Sequence, residues 1–327
     1  MKMKILITGV AGFIGMAVAR KLLAKGISII GIDNLNNYYD VNLKNSRLHI
    51  LKKYKNFKFY KQDILSKRIP KIFETHKPSK IIHLAAQPGV RYSIIKPNEC
   101  TEININGFLN ILNLAKDFKV ENFVYASSSS VYGANEKIPY SEDQKNDSPV
   151  SLYAATKKSN ELFAHTYSSL YGLKTTGLRY FTVYGPWGRP DMAAMSFINK
   201  IINNQKIDVY NNGDMKRDFT YIDDITEGTI NALNLFNHSK RKNIGNFNIF
   251  NLGNSKPTNL LIFIKIIEEK LKMKAKINFL PMQLGDVKNT YADINKSKKL
   301  IYYQPHTSIN SGIEKLVEWY KNYYLDE

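Results

Sequence analysis

A glycine-rich segment near the start of the chain constrains the fold more than any other feature. Residues 4–7 are a short apolar run typical of a buried strand, and residues 8–15 read T-G-V-A-G-F-I-G. Gly9 permits a tight turn, Gly12 lets backbone N–H groups approach a pyrophosphate, and Gly15 lets a helix pack closely on the strand. The helix predicted to follow, through Lys25, offers unpaired N–H groups and a partial positive charge to the phosphates. The segment therefore predicts a dinucleotide-binding turn between a strand and a helix.

Acidic residues at the ends of the next two predicted strands support this interpretation. The apolar run 28–32 ends in Asp33, about 20 residues beyond the glycines, where an acid is expected to bind the adenosine ribose. A carboxylate there accepts the 2′-OH of NAD and repels the 2′-phosphate of NADP. Asn34 comes next, and Asp63, which follows the predicted strand 57–62, is a candidate partner for the adenine amino group. We therefore expect NAD as the cofactor.

Predicted strands and helices alternate as far as residue 180. The later strands are expected at 80–84, 122–126 and 174–179. This rhythm is typical of a parallel sheet covered on both faces, and it stops where a loop rich in Gly and Pro begins at 185–191. We predict an α/β fold, a doubly wound parallel sheet of Rossmann type with a smaller C-terminal α/β substrate lobe. The expected domains are 1–180, which binds NAD, and 181–327, which binds substrate, with a part near 218–252 returning to pack on the NAD domain.

Tyr153 and Lys157 lie four residues apart in a predicted helix, so both side chains share one face. A free tyrosine has a pKa of about 10 and is a poor base at neutral pH. A fixed cation nearby favours the phenolate, and moving the pKa to about 7 takes on the order of 4 kcal/mol. That much is plausible only in a partly desolvated pocket. The pair is common on solvated helices, so it gains meaning only from the motifs around it.

Charge and cysteine content restrict the partners and the compartment. The formal net charge is +19, from 47 Lys and Arg against 28 Asp and Glu, which would suit an acidic partner. The lysines are scattered, however, with no basic run or zinc-finger spacing, so we expect neither nucleic acid nor membrane as a partner. The single cysteine, Cys100, fits a reducing compartment. We expect a cytoplasmic protein without a metal site, because the histidines form no metal-binding pattern.

Together these motifs resemble the extended short-chain dehydrogenase/reductase family, and within it the nucleotide-sugar epimerases and dehydratases. The resemblance covers almost the whole chain. Its segments follow the order of the family: T-G-V-A-G-F-I-G at 8–15, Asp33, L-A-A-Q at 84–87, Asn104 in N-I-N-G, S-S-S-S-V-Y-G at 127–133, Tyr153 with Lys157, and R-D-F-T-Y-I-D-D at 217–224.

The resemblance implies a role for each matched position. Tyr153 would be the acid/base, Lys157 would bind the nicotinamide ribose and lower the tyrosine pKa, and Ser128 would bridge to the sugar oxygen with Ser129 beside it. Which serine of 128–130 makes that bridge stays open, and Ser127 is interpreted as a small residue at a strand end. Other cofactor contacts are implied for Gly9, Gly12, Phe13, Ile14, Gly15, Asp33, Asn34, Asp63, Ile64, Leu84, Ala85, Ala86 and Tyr180. Substrate contacts are implied for Arg91, Ser130, Thr182, Arg189, Arg217, Gln283 and Asp286.

The serine run also separates the reactions that the family performs. The dehydratases carry Asp-Glu where this chain has Ser129 and Ser130, because eliminating water across C5–C6 of the sugar needs an acid and a base. UDP-glucuronate decarboxylases typically carry a glutamate in this stretch, which is absent here. The resemblance therefore implies redox chemistry at C4 of the sugar, which makes the chain an epimerase.

Residues 181–192, F-T-V-Y-G-P-W-G-R-P-D-M, and 33–39, D-N-L-N-N-Y-Y, closely resemble the UDP-glucuronate 4-epimerases. A sugar carboxylate is best held by a planar two-pronged donor, and Arg189 in its glycine-flanked loop is the candidate, helped by Thr182. The alternative for Arg189 is an ion pair with Asp191 that only closes the loop. The implied activity is interconversion of UDP-glucuronate and UDP-galacturonate through a 4-keto intermediate.

The nucleotide end of the substrate depends on Arg217, which the resemblance places at the diphosphate, and on the segment around Asp286. The alternative for Arg217 is a bridge to Asp218 or Asp223. Gln283 stands where many UDP-galactose epimerases carry an arginine.

Three other functions remain open from the sequence. Two belong to the same class, a UDP-glucose/galactose 4-epimerase and a UDP-glucuronate decarboxylase. The third is a basic nucleic-acid-binding or membrane-associated protein that retains a nucleotide fold. A homodimer is also expected, since relatives commonly pair through two helices.

Overall fold

A seven-stranded parallel sheet forms the centre of the protein. The structure, a computed structural model, describes residues 3–237 and 244–325. Its strands in chain order are β1 (Lys4–Thr8), β2 (Ser28–Asp33), β3 (Phe57–Lys61), β4 (Lys80–His83), β5 (Asn122–Ser128), β6 (Thr175–Tyr180), β7 (Thr182–Tyr184), β8 (Lys206–Tyr210), β9 (Lys216–Arg217), β10 (Phe219–Tyr221), β11 (Phe247–Leu252), β12 (Thr258–Asn259) and β13 (Lys276–Leu280).

The strand order of the main sheet is β11-β6-β5-β4-β1-β2-β3. The chain winds outward from β1 through β2 to β3, then returns to place β4 on the other side of β1. This reversal opens a crevice at the carboxyl ends of β1 and β4, which is where ligands bind in sheets of this kind. The structure confirms the predicted α/β fold with a doubly wound parallel sheet.

Helices cover both faces of this sheet. In chain order they are α1 (Phe13–Ala24), α2 (Val41–Lys52), α3 (Ile69–His76), α4 (Val90–Ile95), α5 (Pro97–Thr101), α6 (Phe108–Asp117), α7 (Leu152–Tyr171), α8 (Ala193–Ile202), α9 (Ile222–Leu233), α10 (Leu260–Leu271), α11 (Asn295–Ile301) and α12 (Ile309–Tyr324). Successive residues of a strand point to opposite faces, so Ile5 and Ile7 belong to one apolar cluster and Leu6 to the other. The sheet is therefore buried between two cores.

The helix that carries Tyr153 is well delimited at both ends. The Ser151 hydroxyl accepts a hydrogen bond from the Ala154 N–H at 3.1 Å and so caps the N terminus of α7. Gly172 ends the helix in the left-handed conformation, with φ 67°. The caps fix where the helix begins and thus the height of Tyr153 above the sheet.

The helical stretch 97–117 is not a regular α-helix throughout. Between α5 and α6 the residues Glu102–Gly107 form a π-helical segment. Its wider turn lets Asn104 reach out of the helix: the Asn104 Oδ1 accepts from the Gln87 N–H at 2.8 Å, and its amide donates to the Thr156 hydroxyl at 3.1 Å. The π segment therefore ties the loop after β4 to α7, close to the crevice.

The C-terminal part of the chain is interleaved with the main sheet. Strand β11 pairs with β6, and α9 packs on α1 and β5. Three two-stranded sheets, β7 with β10, β8 with β13 and β9 with β12, lie outside it. None of the helices within residues 3–237 and 244–325 combines the length and apolarity needed to cross a membrane.

Candidate active site

The glycine loop lies between β1 and α1, at the mouth of the crevice. Gly9 has φ 71°, and a Cβ there would come within 2.8 Å of the Ala85 backbone N. A Cβ at Gly15 would come within 2.1 Å of the Gly9 carbonyl oxygen. Gly12 precedes α1, and no side chain caps that end of the helix. The N–H groups of the first turn are therefore open to a phosphate, so this loop fits the pyrophosphate of a dinucleotide.

Asp33 and Asp63 face the crevice from the ends of β2 and β3. The Asp33 carboxylate accepts hydrogen bonds from the Ala11 N–H at 3.0 Å and the Leu35 N–H at 2.9 Å. The Asn34 amide donates to Asp63 at 2.7 Å. These contacts hold both carboxylates at the end of the crevice beyond the glycine loop, where the adenosine half of a dinucleotide fits.

Two cations from α2 accompany Asp33. Burial raises the pKa of Asp33, while the charges of Lys44 and Arg47 act in the opposite direction. The Lys44 ammonium donates to both the carbonyl and the side-chain oxygen of Asn36 at 2.6 Å. Sequence reasoning found neither cation, because a lysine and an arginine outside the recognised motifs look like solvent-exposed residues. Only the packing of α2 reveals their position.

Tyr153 and Lys157 lie one turn apart on α7 and line the same cavity, as their spacing predicted. The Lys157 ammonium donates to the Ala126 carbonyl at 2.9 Å and lies 5.9 Å from the centre of the Tyr153 ring. Burial lowers the pKa of Lys157 to about 8.

The pKa of Tyr153 reflects burial and the side chains around the phenol. Burial raises this pKa above its usual value of 10.0, while the charge of Arg189 and a polar contact with Ser128 lower it. The Lys157 ammonium is directed at the Ala126 carbonyl, and the lowering of the tyrosine pKa by Lys157 that the resemblance implies stays a prediction. The cation that acts most on the phenol is Arg189, which lies 36 residues further along the chain.

The serines at 127–130 form two separate sets of hydrogen bonds. The Ser127 hydroxyl donates to the Glu161 carboxylate at 2.7 Å. The Ser128 hydroxyl accepts from the Ser130 N–H at 3.2 Å and donates to the Ser130 hydroxyl at 3.0 Å. Ser128 thereby caps the short 3-10 turn Ser129–Tyr132, and it lines the cavity beside Tyr153.

Arg189 makes the ion pair that the sequence left as an alternative. Its Nε and Nη2 atoms donate to the two carboxylate oxygens of Asp191, at 3.0 and 2.5 Å. The Tyr38 hydroxyl donates to the same carboxylate at 3.1 Å. The Arg189 side chain still lines the cavity and is 19% exposed. One fork of the guanidinium is therefore occupied by Asp191, and Nη1 forms no hydrogen bond within residues 3–237 and 244–325.

Arg217 and Asp286 are paired with each other. The Arg217 Nη2 donates to Asp286 at 2.7 Å, and its Nη1 donates to the carbonyls of Lys216 and Lys288 at 3.1 and 2.9 Å. The alternative bridges to Asp218 and Asp223 are not formed. The reason is that backbone N–H groups surround Asp218, including that of Asn254 at 2.6 Å.

The predicted residues gather around two adjoining cavities of about 410 and 530 Å³. The first is lined by Gly9, Gly12, Phe13, Ile14, Gly15, Asp33, Asn34, Asp63, Ile64, Leu84, Ala85, Ala86, Ser128, Tyr153, Lys157 and Tyr180. The second is lined by Arg91, Arg217, Gln283 and Asp286. Both share a wall made by Ser129, Ser130, Thr182 and Arg189. The structure thus places each of the predicted catalytic, cofactor-binding and substrate-binding residues at one of these two cavities.

The profile of the NAD dependent epimerase/dehydratase family matches residues 5–253 of this chain. The chain belongs to this family. Members of this NAD-dependent epimerase family are similar to it along almost its full length. A UDP-glucuronate 4-epimerase of Thermodesulfobacterium geofontis is 48% identical over 97% of this chain and 95% of its own. UDP-glucuronate 4-epimerase 1 of Arabidopsis thaliana is 44% identical over 98% of this chain and 77% of its own.

A solved structure of another epimerase is also similar. The UDP-glucuronic acid 4-epimerase of Bacillus cereus, in complex with UDP-glucuronic acid and NAD, superposes with a TM-score of 0.91. It is 35% identical in sequence and covers 98% of this chain and all of its own. The resemblance to nucleotide-sugar epimerases, closest to the UDP-glucuronate 4-epimerases, is confirmed.

Some residues of this epimerase site were missed by sequence reasoning. Besides Lys44, they include Tyr38 and Tyr39 at the first cavity and Tyr210, whose ring lies 4.9 Å from the Arg91 guanidinium carbon at the second. The two tyrosines at 38–39 lie in a segment that resembles the family, so they carried a signal. Tyr210 carried none, because it ends a strand that the sequence did not predict.

Proposed function

We propose that this protein is an NAD-dependent 4-epimerase that interconverts UDP-glucuronate and UDP-galacturonate through a 4-keto intermediate. The observation that carries the proposal is the place of Arg189. It is a permanent cation in the wall shared by both cavities, and its charge acts on the pKa of Tyr153. An anionic sugar needs a cation beside the acid/base, whereas a neutral hexose does not. The names of the similar epimerases agree with this choice.

The first cavity is the proposed cofactor site. The first turn of α1 would hold the pyrophosphate of NAD. Asp33 would bind the adenosine ribose, and Asp63 would bind the adenine. When bound, NAD accepts a hydride from C4 of the sugar and later returns it to the opposite face. Lys157 would contact the nicotinamide ribose from its place on the Ala126 carbonyl. Residues 1–180 are proposed as the NAD domain and 181–327 as the substrate lobe, with the part near 218–252 returning to pack on the NAD domain.

Tyr153 is the proposed acid/base. It would take the proton of the C4 hydroxyl as the sugar is oxidised and give it back when the sugar is reduced. Burial favours the neutral phenol, and the charge of Arg189 and the contact with Ser128 favour the phenolate. Ser128, with Ser129 beside it, would orient the C4 oxygen.

Arg189 and Thr182 are proposed to hold the sugar carboxylate. A 4-keto uronate is a β-keto acid, and it loses CO2 when the bond to the carboxylate aligns with the carbonyl π system. Because Asp191 occupies the Nε side of the guanidinium, the carboxylate would bind on the Nη1 side. Holding it out of that alignment would separate epimerisation from decarboxylation.

The second cavity is the proposed nucleotide site. Arg217, Asp286, Gln283 and Arg91 surround it, and Ser130 lies in the wall that it shares with the cofactor cavity. Arg217 would bind the diphosphate from its position beside Asp286. The uridine would then lie toward Arg91.

We further propose that the protein is a cytoplasmic homodimer. Leu162 and Leu170 lie eight residues apart on one side of α7 and are 57% and 67% exposed, which suits a second copy of the helix. Cys100 is a buried free thiol, which suits a reducing compartment. A monomer in light scattering would contradict the first statement.

An NMR time course tests the function directly. UDP-glucuronate, UDP-glucose and their N-acetylated analogues are each incubated with the enzyme without added reductant. We expect turnover of UDP-glucuronate to UDP-galacturonate. Preference for UDP-glucose would favour the neutral-sugar epimerase, and a UDP-pentose as the main product would favour the decarboxylase. Absence of turnover together with salt-dependent retention on nucleic acid would favour the binding protein.

A further inference from the structure

Arg47, on α2, connects three separate segments of the chain. Its side chain has no exposed surface. The Nη1 donates to the carbonyl of Ala11 in the glycine loop at 3.0 Å and to the Tyr39 hydroxyl at 2.7 Å. The Nη2 donates to the carbonyls of Trp187 and Gly188, at 2.6 and 3.2 Å. One planar group thus spans the cofactor loop and the loop that ends in Arg189.

This guanidinium has no carboxylate partner. Within residues 3–237 and 244–325 no acidic side chain forms an ion pair with Arg47, and its Nε makes no hydrogen bond. Burial lowers the pKa of Arg47, and the nearby cation Arg189 acts in the same direction. A buried cation bound only by neutral oxygens is unfavourable for stability. The role of Arg47 must therefore be to hold in place the segments that its four hydrogen bonds contact.

The loop that Arg47 holds has a strained backbone. Trp187 has φ 66°, in the left-handed region that bulky residues avoid. Its indole packs against Trp319 and Tyr323 of α12, with ring centres 5.1 and 5.0 Å away. Its carbonyl is fixed by Arg47 on the opposite side. Such a conformation persists only where the surroundings determine it fully.

We propose that Arg47 is a positioning residue that fixes the loop 185–189 against the glycine loop and so sets where Arg189 lies relative to the cofactor site. Arg47 lines neither cavity, so its effect on the sugar site comes through the residues it holds, while its charge also acts on Asp33. The guanidinium suits this task because its two nitrogens bind two loops from one plane. A lysine at this position would keep the charge but could not make both pairs of bonds. The expected effect on substrate binding rests on the proposed role of Arg189, whereas the expected effect on the position of the loop does not.

The test uses the two tryptophans of the chain, Trp187 and Trp319. In a Trp319→Phe background Trp187 is the only tryptophan, so acrylamide quenching of its fluorescence reports the exposure of the loop. Arg47→Lys and Arg47→Met are compared with Asn45→Ala, a change at an exposed residue of the same helix. We expect stronger quenching in both Arg47 variants and no change in the control.

The second measurement is the affinity for UDP-glucuronate relative to UDP, which lacks the sugar carboxylate. In Arg47→Lys we expect UDP-glucuronate to bind about tenfold more weakly relative to UDP, and its turnover to fall by up to about a hundredfold, as for a misplaced contact. Some of the 4-keto intermediate should lose CO2.

Several outcomes would overturn the inference. Wild-type quenching and wild-type relative affinity in Arg47→Lys would do so. An equal loss of UDP and UDP-glucuronate binding with a lower melting temperature would show a purely structural role and also overturn it. Should Arg47→Met not fold, Arg47→Lys decides alone. A wild-type protein inactive on UDP-glucuronate would refute the proposed function, yet the quenching would still decide whether Arg47 positions the loop.

Discussion

Replacing Arg189 by alanine separates a substrate-binding arginine from one that only closes its loop. The structure gives both readings a basis, since Arg189 lines both cavities and is also paired with Asp191. If the Nη1 side holds the sugar carboxylate, the variant leaves a desolvated anion without its donor. If Arg189 only closes the loop, the variant leaves Asp191 unpaired instead.

The two readings predict effects of different size. Loss of one partner of a buried, hydrogen-bonded charge pair costs about 2–5 kcal/mol, which is a loss of about 30- to 5,000-fold in kcat/KM. Asp191, by contrast, is 36% exposed. An exposed pair contributes only about 0.2–1 kcal/mol to stability. The melting temperature should therefore fall by no more than about 2–4 °C, while turnover of UDP-glucuronate should fall far more.

The assay follows substrate, epimer and CO2 by mass spectrometry and NMR, beside a melting curve. With the carboxylate free to rotate, part of the 4-keto intermediate should decarboxylate to a UDP-pentose or leave trapped NADH. The kcat/KM profile should also move to higher pH, because removing the Arg189 charge raises the pKa of Tyr153 further and the base form then needs more alkaline conditions. Arg189→Lys should rescue only partly, since it cannot present two parallel donors.

Asp191→Asn is the matched control, because it removes the ion pair and keeps the guanidinium. It should retain most of the turnover and produce no new product. The carboxylate assignment is refuted if Arg189→Ala epimerises UDP-glucuronate cleanly at wild-type affinity. It is equally refuted if Asp191→Asn reproduces all the effects of Arg189→Ala, since the ion pair alone would then explain them. Either result would favour a neutral UDP-hexose as substrate.

Three further predictions concern Tyr153, Asp33 and the buried ion pair between Glu161 and Arg179. Tyr153→Phe removes the proposed acid/base and should lower kcat by about 10²- to 10⁴-fold with little change in affinity; steady-state kinetics within about threefold of wild type would show that another group moves the proton. Asp33→Asn removes the acceptor for the ribose and its repulsion of a 2′-phosphate, so the preference for NAD over NADP should fall by about ten- to a hundredfold in calorimetric titration; an unchanged ratio would mean that another group reads the ribose. Glu161→Ala leaves Arg179, 3% exposed and bound through two hydrogen bonds of 2.8 Å, as a buried unpaired cation. In denaturant unfolding, the free energy of unfolding should therefore fall by about 3–5 kcal/mol. A fall of less than about 1 kcal/mol would mean that water reaches the ion pair.

Features that depend on spacing within one element could be predicted from the sequence. The glycines at 9, 12 and 15 require a strand, a turn and a helix in that order, and the structure has β1, the loop and α1 there. Tyr153 and Lys157 share a face because an α-helix turns every 3.6 residues, whatever it packs against. Asp33 lies at the end of β2 because the apolar run before it can only be a buried strand. The family could be recognised from these motifs alone.

Features that depend on which elements meet were decided by the tertiary structure. Arg47 reaches carbonyls 140 and 141 residues away, and Arg217 pairs with Asp286, 69 residues away, although two acids lie nearer in the chain. The π segment Glu102–Gly107 forms where Asn104 has partners at Gln87 and Thr156, which are distant in the chain.

The pKa of Tyr153 shows most clearly what the sequence determines and what the tertiary structure decides. The sequence determined which cation shares its helix face, and that cation is Lys157. The tertiary structure decided how deeply the phenol is buried, that the Ala126 carbonyl binds the ammonium, and that Arg189 comes close. Spacing along a helix is local geometry and can be read from the chain. Desolvation and long-range charge depend on the whole packed molecule, so only the folded structure determines them.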